Sequence, residues 1–349
     1  MRKVLLAILS LNFLLASAQQ DTEVALPSGD GTLRSAYIRG YPDDFFIWPV
    51  LKQRRLDFDI KDPEDKRQLS FNSNKPYSAG LGMYIFELAV EIAFAVPFNE
   101  QNKRIYGESK ARDLQLNVLG RRWGVDLYHQ RYRGFYLEDS EIDIPANEPF
   151  PQRPDIRTRN VGATVSHIFN RNKFSFRSPY NFSERQLRSG GSFVAFASLR
   201  NFKVTADSAF IDDEYADVFF DMKGIRKMSV TLMGAAPGYT YNLIYQGFFL
   251  NGTLAIGPGY NWITFERENG LIGHRNDISA MIAARIALGY NGDRIFGGMA
   301  FSNQGGSTRF NDVELTNSNS TFKILVGYRF REWGILTKRV WDIPDALLR

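Results

Sequence analysis

The sequence of 349 residues contains no cysteine and only three histidines. Without cysteine the chain has no disulfide framework, no thiolate nucleophile and no Cys-ligated metal site. The histidines, His129, His167 and His274, lie far apart and show no ligand spacing, so we expect no cofactor. The 43 basic residues exceed the 38 acidic ones only slightly, which is not the footprint of a nucleic-acid-binding protein.

Long hydrophobic runs are missing as well. Beyond the N-terminus no segment has the roughly 18 uninterrupted apolar residues that predict a membrane-spanning helix. The N-terminus combines a positive start at Arg2 and Lys3, an apolar stretch from Val4 to Leu15 and the small residues Ala16-Ser17-Ala18. This pattern predicts a cleaved secretory signal peptide over residues 1–18, and therefore a mature chain outside the cytoplasm.

The sequence does contain segments in which large apolar residues alternate with small or polar ones. From Tyr84 to Phe98 every second residue is large and apolar, and most residues between them are small or charged. Successive side chains of a strand face opposite ways, so this run predicts one bulky apolar face that suits a surface in contact with lipid. A membrane crossing needs only about 9 to 11 residues, which favours a turn near Phe86–Leu88.

Similar patterns elsewhere predict an all-β fold, a transmembrane, antiparallel, up-and-down β-barrel of twelve strands. Without the turn near Phe86–Leu88 the count falls to ten, and either number is even, as in bacterial single-chain barrels. We expect the barrel over residues 54–330, after an N-terminal periplasmic segment (19–53) and before a C-terminal tail (331–349). The predicted strands are Arg55–Ile60, Leu69–Tyr84, Leu88–Val96, Leu114–Leu119, Val125–Phe135, Asn160–Phe169, Gly191–Lys203, Lys227–Tyr245, Phe249–Phe265, Ile278–Tyr290, Ile295–Ser302 and Thr321–Phe330.

The predicted links differ in length on the two sides of the barrel. With the C-terminus in the periplasm, long polar links such as Glu266–Asp277 and Asn303–Ser320 fall on one side, and tight ones such as Asn291–Arg294 fall on the other. Short periplasmic turns and longer extracellular loops are the asymmetry of outer-membrane barrels. One link does not fit, because Asn170–Gly190 is long and falls on the short side.

Several short motifs add a family resemblance. They are Tyr37-Ile38-Arg39-Gly40-Tyr41-Pro42-Asp43, Gly80-Leu81-Gly82, Phe174-Ser175-Phe176-Arg177, Arg185-Gln186-Leu187-Arg188-Ser189-Gly190-Gly191-Ser192-Phe193, Gly257-Pro258-Gly259-Tyr260 and Gly327-Tyr328-Arg329-Phe330. In combination they resemble the Bacteroidota outer-membrane β-barrel family catalogued as domain of unknown function 4421 (DUF4421), over about Ala36 to Phe330. The resemblance implies a barrel in the bacterial cell outer membrane without an established activity, so it transfers no catalytic residue.

Three charged residues lie on the less bulky faces of predicted strands: Glu87, Glu91 and Arg285. Because an Arg or Lys facing lipid at mid-membrane costs about 2–4 kcal/mol, we expect charged groups of this kind to line the lumen. There they would either line a polar pore or contact a ligand, or form a salt-bridged filling of a narrow barrel. If the run folds back at Phe86–Leu88, Glu87 lies at the periplasmic rim and Glu91 remains the lumen candidate.

No catalytic constellation is recognisable, and we expect no enzyme. Ser166 and His167 are adjacent, but neighbours on a strand face opposite ways and cannot serve as nucleophile and base. The sequence favours a small-solute channel or transport component, or a filled scaffold barrel; the alternatives are a structural barrel that binds a surface partner through its outer loops and, third, a lipid-modifying enzyme. The expected partners are outer-membrane lipid, an unidentified solute or surface partner and, because the last strand ends on Phe330, the barrel-assembly machinery.

Overall fold

The computed structural model describes residues 30–331 except 43, 86, 87, 98 and 216. The predicted signal peptide, Glu87 and the tail after Arg331 therefore lie outside the described residues. No helix in the described part of the chain is long and apolar enough to cross a membrane.

The helices are α1 (Asp30–Tyr37), α2 (Glu100–Tyr106) and α3 (Arg177–Tyr180). The strands are β1 (Ile38–Gly40), β2 (Asp44–Lys61), β3 (Gln68–Asn72), β4 (Ser78–Ile85), β5 (Leu88–Ala95), β6 (Lys110–Leu119), β7 (Trp123–Asp139), β8 (Gln152–Ile168), β9 (Glu184–Gln186), β10 (Gly190–Thr205), β11 (Ile225–Tyr245), β12 (Phe248–Arg267), β13 (Ile272–Asn291), β14 (Ile295–Phe310) and β15 (Val313–Arg331).

Most of these strands form one antiparallel sheet that closes on itself. In its outer half ten strands complete the ring, and β3 closes it by pairing with β2 on one side and β7 on the other. In the other half β4, β5 and β6 stand between β2 and β7, which gives twelve strand positions. The predicted fold class is confirmed, and each predicted strand is present, with β3 and β4 as two parts of the predicted strand Leu69–Tyr84.

The outer face of β15 shows which part of the barrel meets lipid. Its outward positions from Phe322 to Phe330 are apolar, over about the length of one membrane crossing. Its earlier outward positions, from Glu314 to Ser320, are polar. The half of the barrel next to the short turns therefore carries the apolar belt, and the outer half extends beyond it.

Two predicted long links are largely strand. Asn303–Ser320 contains the ends of β14 and β15, which pair as far as Phe310↔Val313, and Glu266–Asp277 contains the ends of β12 and β13. Both predictions were wrong because the outer halves of these strands point polar side chains to water and lack the apolar alternation of the belt. The predicted boundary at residue 54 also differs from the structure, since β2 begins at Asp44.

The alternating run is a hairpin. β4 and β5 pair from Ser78↔Ala95 to Ile85↔Leu88, so the chain folds back where the sequence favoured a turn. Val90, Ile92 and Phe94 of β5 are exposed on the lipid face, whereas Tyr84 is buried in the lumen. The prediction of a single lipid-facing surface is therefore wrong at Tyr84, because opposite residues of a hairpin share a face and Tyr84 lies opposite Ala89.

Both ends of the lumen are filled. At the outer end, buried Phe58, Phe71 and Phe202 from the wall pack with Phe210 and Phe219 from the loop between β10 and β11. We call this apolar cluster the outer layer. It leaves the middle of the barrel as the place for polar side chains.

At the periplasmic end the lumen is filled by residues 169–189, which connect β8 to β10 and which we call the plug. Phe174, Phe176 and Phe182 of the plug are buried against the wall, and its strand β9 pairs with β1. The long link on the short side of the barrel is therefore an insertion into the lumen.

Candidate functional site

A cavity of about 350 Å³ lies in the barrel between the outer layer and the plug, and we call it the chamber. Its wall is built mainly from inward positions of β2, β5, β6, β7, β13, β14 and β15, and the plug residues Tyr180 and Asn181 form its floor. A smaller cavity of about 220 Å³ shares Lys52, Arg54, Glu91 and Gln115 with it. Because inward positions recur at every second residue of each strand, polar residues distant in sequence meet here.

Glu91 of β5 is at the centre of one ionic cluster. Its carboxylate accepts hydrogen bonds from Lys323 Nζ at 3.0 Å, Lys52 Nζ at 3.3 Å and Trp48 Nε1 at 3.2 Å. Lys323 also donates to the carbonyl oxygen of Tyr180 at 3.2 Å, which links the cluster to the plug. The structure thus places Glu91 in the lumen, with β2 and β15 supplying its two cations.

Arg285 of β13 lies in a second cluster. Its Nη2 donates to Asp126 Oδ2 at 2.7 Å, and the same oxygen accepts a bond from Gln304 at 3.3 Å. The guanidinium also lies over the rings of Phe176 and Phe196, at 5.6 and 5.3 Å from their centroids. Glu91 and Arg285 therefore line the same chamber but each is paired with a different partner.

Asp113 of β6 is at the centre of a third cluster that the sequence analysis missed. Lys75 Nζ lies 3.4 Å from one of its oxygens and Arg54 Nη1 lies 3.7 Å from the other. Tyr132 donates to Asp113 at 3.1 Å. Trp48, Val50, Lys52 and Arg54 are alternate residues of β2, so a strand drawn from residue 44 would have revealed the inward cations.

The chamber and its smaller neighbour carry an excess of positive charge. Five cationic side chains, from Lys52, Arg54, Lys75, Arg285 and Lys323, face three carboxylates, from Glu91, Asp113 and Asp126. Three of the lining side chains also have a buried nitrogen without an acceptor among the described residues: Arg54 Nε, Gln115 Nε2 and Arg285 Nε. Because cationic groups outnumber carboxylates here, the arrangement suits a bound group that carries negative charge and accepts hydrogen bonds.

One side of the chamber coincides with an interruption in the wall. In the described residues β5 pairs only with β4, and β6 pairs only with β7, so no ladder joins β5 to β6. Val90 and Leu116 belong to the outer face, with 51% and 41% of their surface exposed, yet both also line the chamber. The chamber therefore reaches the outer surface between these strands, at the level of the apolar belt.

The adjacent Ser166 and His167 lie on opposite faces of β8. Ser166 is buried in the lumen wall, and His167 packs between Trp123 and Phe169, with centroid distances of 4.4 and 4.6 Å. Within the described part of the chain, no group of three or more His, Asp or Glu side chains could hold a metal ion.

The fold and the site together define an outer-membrane type of β-barrel with a plugged lumen and a charged internal chamber. The chain belongs to the family described as "Domain of unknown function (DUF4421)", whose model matches residues 30–330. The comparison with curated proteins gives no match.

Three solved structures illustrate what the chain is similar to. The outer membrane protease OmpT of Escherichia coli is 10% identical, with a TM-score of 0.39 over 83% of this chain and 98% of that one. The attachment invasion locus protein Ail of Yersinia pestis is 12% identical, with a TM-score of 0.20 over 84% and 99%. The toluene transporter TodX of P. putida is 9% identical, with a TM-score of 0.24 over 87% and 92%. Likenesses of this degree carry no argument about activity.

Proposed function

We propose that the protein is a small-solute transport component of the bacterial outer membrane, exported by its predicted signal peptide, and that the chamber holds the solute. The observation that carries the proposal is a cavity of about 350 Å³, closed at both ends of the barrel, in whose lining Lys52, Arg54, Arg285 and Lys323 face only Glu91 and Asp126. Ligand pockets begin at about 300 Å³ and combine apolar walls with a few placed polar groups. A barrel that served only as a scaffold would be more stable with each of these cations paired or replaced by an apolar group.

In this proposal a solute crosses only when both closures open, the plug at the periplasmic end and the outer layer at the other, so a plug that opens more often should raise the rate of passage. The plug is joined to β8 and β10 at its ends and is otherwise held by side-chain contacts and the short β1–β9 pair. Buried Arg329 of β15 donates to the carbonyl oxygen of Phe182 at 2.7 Å. Phe182 itself has a left-handed backbone with φ of 57°, which costs about 1–3 kcal/mol for a residue with a side chain. The plug is thus docked by packing and hydrogen bonds and not by the ladders of the wall, so its release does not require the wall to unfold.

Charged groups at the periplasmic face fasten the plug further. Glu184 pairs with Arg34 of α1 at 2.8 Å, which ties the plug to the N-terminal segment. Within the plug it pairs with Arg177 at 3.5 Å and accepts a hydrogen bond from Ser175 at 2.5 Å. Burial raises the pKa of Glu184, but the charges of Arg177 and Arg34 and the bond from Ser175 lower it more, so the pKa lies below its usual range. The carboxylate is therefore ionised near neutral pH and keeps its ion pair with Arg34 of α1.

Liposome swelling tests the proposal. The mature chain is placed in liposomes, and swelling is followed in isosmotic acetate and in a neutral sugar, for the wild type, Arg329→Met and the control Arg309→Met, which changes an exposed arginine of the outer half. We expect slow swelling for the wild type and the control, and faster swelling, greater in acetate, for Arg329→Met. If Arg329→Met does not swell although its plug has become accessible to thiol reagents, the protein is a filled scaffold and the proposal fails.

A second candidate function is favoured by the outer half of the barrel. Its strands extend beyond the apolar belt, and the loop between β7 and β8 is almost entirely exposed. A barrel of this form could bind a surface partner through that loop. Deletion of residues 141–147 should then abolish cell-surface binding and leave assembly intact, whereas unchanged binding would exclude this role for the loop.

A further inference from the structure

The gap between β5 and β6 is unusual for a membrane barrel. Strands in hydrocarbon satisfy their backbone groups by closing the sheet, because each unpaired N–H or C=O there costs several kcal/mol. Here two neighbouring strands at the level of the belt have no ladder between them in the part of the chain that the structure describes. The gap also opens into the chamber, so it is a place where a molecule from the membrane can reach polar groups.

The two sides of the gap differ in chemistry. Facing lipid, its edges carry Val90 and Ile92 on β5 and Leu114 and Leu116 on β6, all exposed. Behind these edges lie cationic side chains of the two cavities, including Lys52, Arg54 and Lys75. A molecule that spans the gap therefore meets apolar side chains at one end and positive charge at the other.

We propose that the gap is the ligand's entrance from the membrane, and that the ligand is an anionic amphiphile, with its charged group in the chamber and its alkyl chain between β5 and β6. The inference rests on the chamber proposed above as the solute site, and it adds the route and the substrate class. Anionic rather than cationic ligands fit because five cationic side chains face three carboxylates in the two cavities.

A neighbouring arginine also favours a ligand with negative charge. Arg200 approaches Tyr128 of the chamber wall beside Gly162, and it has only 6% of its surface exposed. Among the described residues no carboxylate forms an ion pair with it, and its Nε is without a hydrogen-bond partner. A buried guanidinium without a counter-ion adds to the positive potential in which an anionic group would bind.

Binding is measured with a bromine-labelled laurate added to the protein in nanodiscs of neutral lipid. Bromine quenches nearby tryptophan, and Trp48 lines the chamber, so the difference between the wild type and Trp48→Phe reports occupation of the chamber. The matched ligands are a bromine-labelled dodecyltrimethylammonium, which reverses the charge, and acetate as a competitor, which lacks the chain. We expect the cation to bind at least tenfold more weakly than laurate and acetate to compete only weakly.

The route is tested by crosslinking, because the natural chain has no cysteine. An apolar bismaleimide joins Val90→Cys to Leu116→Cys across the gap, and the control joins Ile286→Cys to Phe301→Cys, which lie opposite each other on paired β13 and β14. Crosslinking the gap should slow the quenching of Trp48 at least tenfold, and the control crosslink should leave it unchanged. Arg54→Gln, which leaves Asp113 paired with Lys75, should weaken laurate binding about tenfold.

The outcomes separate this inference from the transport proposal. Equal quenching rates with and without the crosslinked gap would exclude the lateral route, and tighter binding of the cationic ligand would exclude the substrate class. In either case faster swelling of Arg329→Met liposomes would still support transport. If no ligand reaches Trp48 in a correctly folded barrel, verified by heat-modifiable gel migration, the inference is overturned whatever the swelling result.

Discussion

The plug should be released by replacing Arg329, the fully buried arginine that holds it. Its guanidinium donates to the carbonyl oxygen of Phe182 at 2.7 Å, to Asn291 Oδ1 at 2.6 Å and to the carbonyl oxygen of Gly292. It also lies over the ring of Tyr41, 4.1 Å from the centroid. Arg329→Met removes all of these interactions while keeping an apolar side chain of similar length.

The expected magnitude follows from the contacts that reach the plug and the N-terminal segment. The charged hydrogen bond to Phe182 is worth about 1.5–3 kcal/mol, and the desolvated cation–π contact with Tyr41 adds about 1–2 kcal/mol. Contacts of the methionine sulfur with the surrounding rings compensate for part of the lost free energy. The N-terminal segment pairs with the plug through β1 and β9, so we expect the two to be released together. The free energy of their docking should fall by about 3 kcal/mol, which is roughly a hundredfold in the population of the open plug.

The assay is the rate at which a charged thiol reagent modifies Ser183→Cys, the single cysteine of an otherwise cysteine-free chain. Ser183 is buried in the plug, so its modification requires local opening. Adding Arg329→Met should raise the rate about a hundredfold, Arg329→Lys should raise it less because it keeps the charge, and Arg309→Met should not change it. A rate for Arg329→Met equal to that of the parent would refute the role given to Arg329.

Three further changes have outcomes that the structure predicts. Gly82→Val should lower the free energy of unfolding by at least about 2 kcal/mol, because a side chain at Gly82 would overlap the indole of Trp48. Glu91→Gln should lower it by about 1–3 kcal/mol, since two lysines lose their shared carboxylate in a largely buried cluster. Glu184→Gln should lower the melting temperature at neutral pH. That difference should shrink as the pH falls below about 4.3, because the depressed pKa of Glu184 stabilises the fold only while the carboxylate is ionised.

Matched controls accompany these predictions. Gly252→Val introduces the same side chain on β12, where nothing lies near the added atoms, and should be close to neutral. Glu100→Gln removes a carboxylate that is 89% exposed and should change stability by less than about 0.5 kcal/mol. Urea unfolding, followed by heat-modifiable gel migration, measures the free energy of unfolding of Gly82→Val, Glu91→Gln and their two controls. A Glu184→Gln melting temperature that stays below the wild type by the same amount at acidic pH would contradict the assignment to Glu184.

Much of the wall could be predicted from alternation alone. The belt half of each strand faces lipid on one side, so large apolar residues recur at every second position, as from Phe322 to Phe330. The outer halves of the strands carry no such signal, because their outward side chains face water and need not be apolar. The start of β2 at Asp44 is hard to predict because the strand contains Pro49, which cannot donate to a ladder; the structure accommodates it where the ladder to β15 is interrupted between Ile47 and Val50.

The candidate site could be predicted only in part. Glu91 and Arg285 stood out because they are charged residues among apolar neighbours, but their partners lie on strands distant in sequence. The plug gave a local signal, since Phe174 and Phe176 alternate, yet nothing in that pattern says that a link enters the lumen. The gap between β5 and β6 could not be predicted, because alternation fixes which face a residue occupies and not which strand lies beside it.

Thiol labelling of Ser302→Cys, a position on the chamber wall, measures whether the chamber opens along the barrel axis or between β5 and β6. A lipid-dissolved maleimide and a charged, water-soluble thiol reagent are compared on the protein in nanodiscs. If the chamber is closed along the barrel axis and open between β5 and β6, the lipid-dissolved reagent reacts rapidly and the charged one slowly. Rapid reaction with the charged reagent, and none with the lipid-dissolved one, would contradict a chamber that opens to the membrane between β5 and β6.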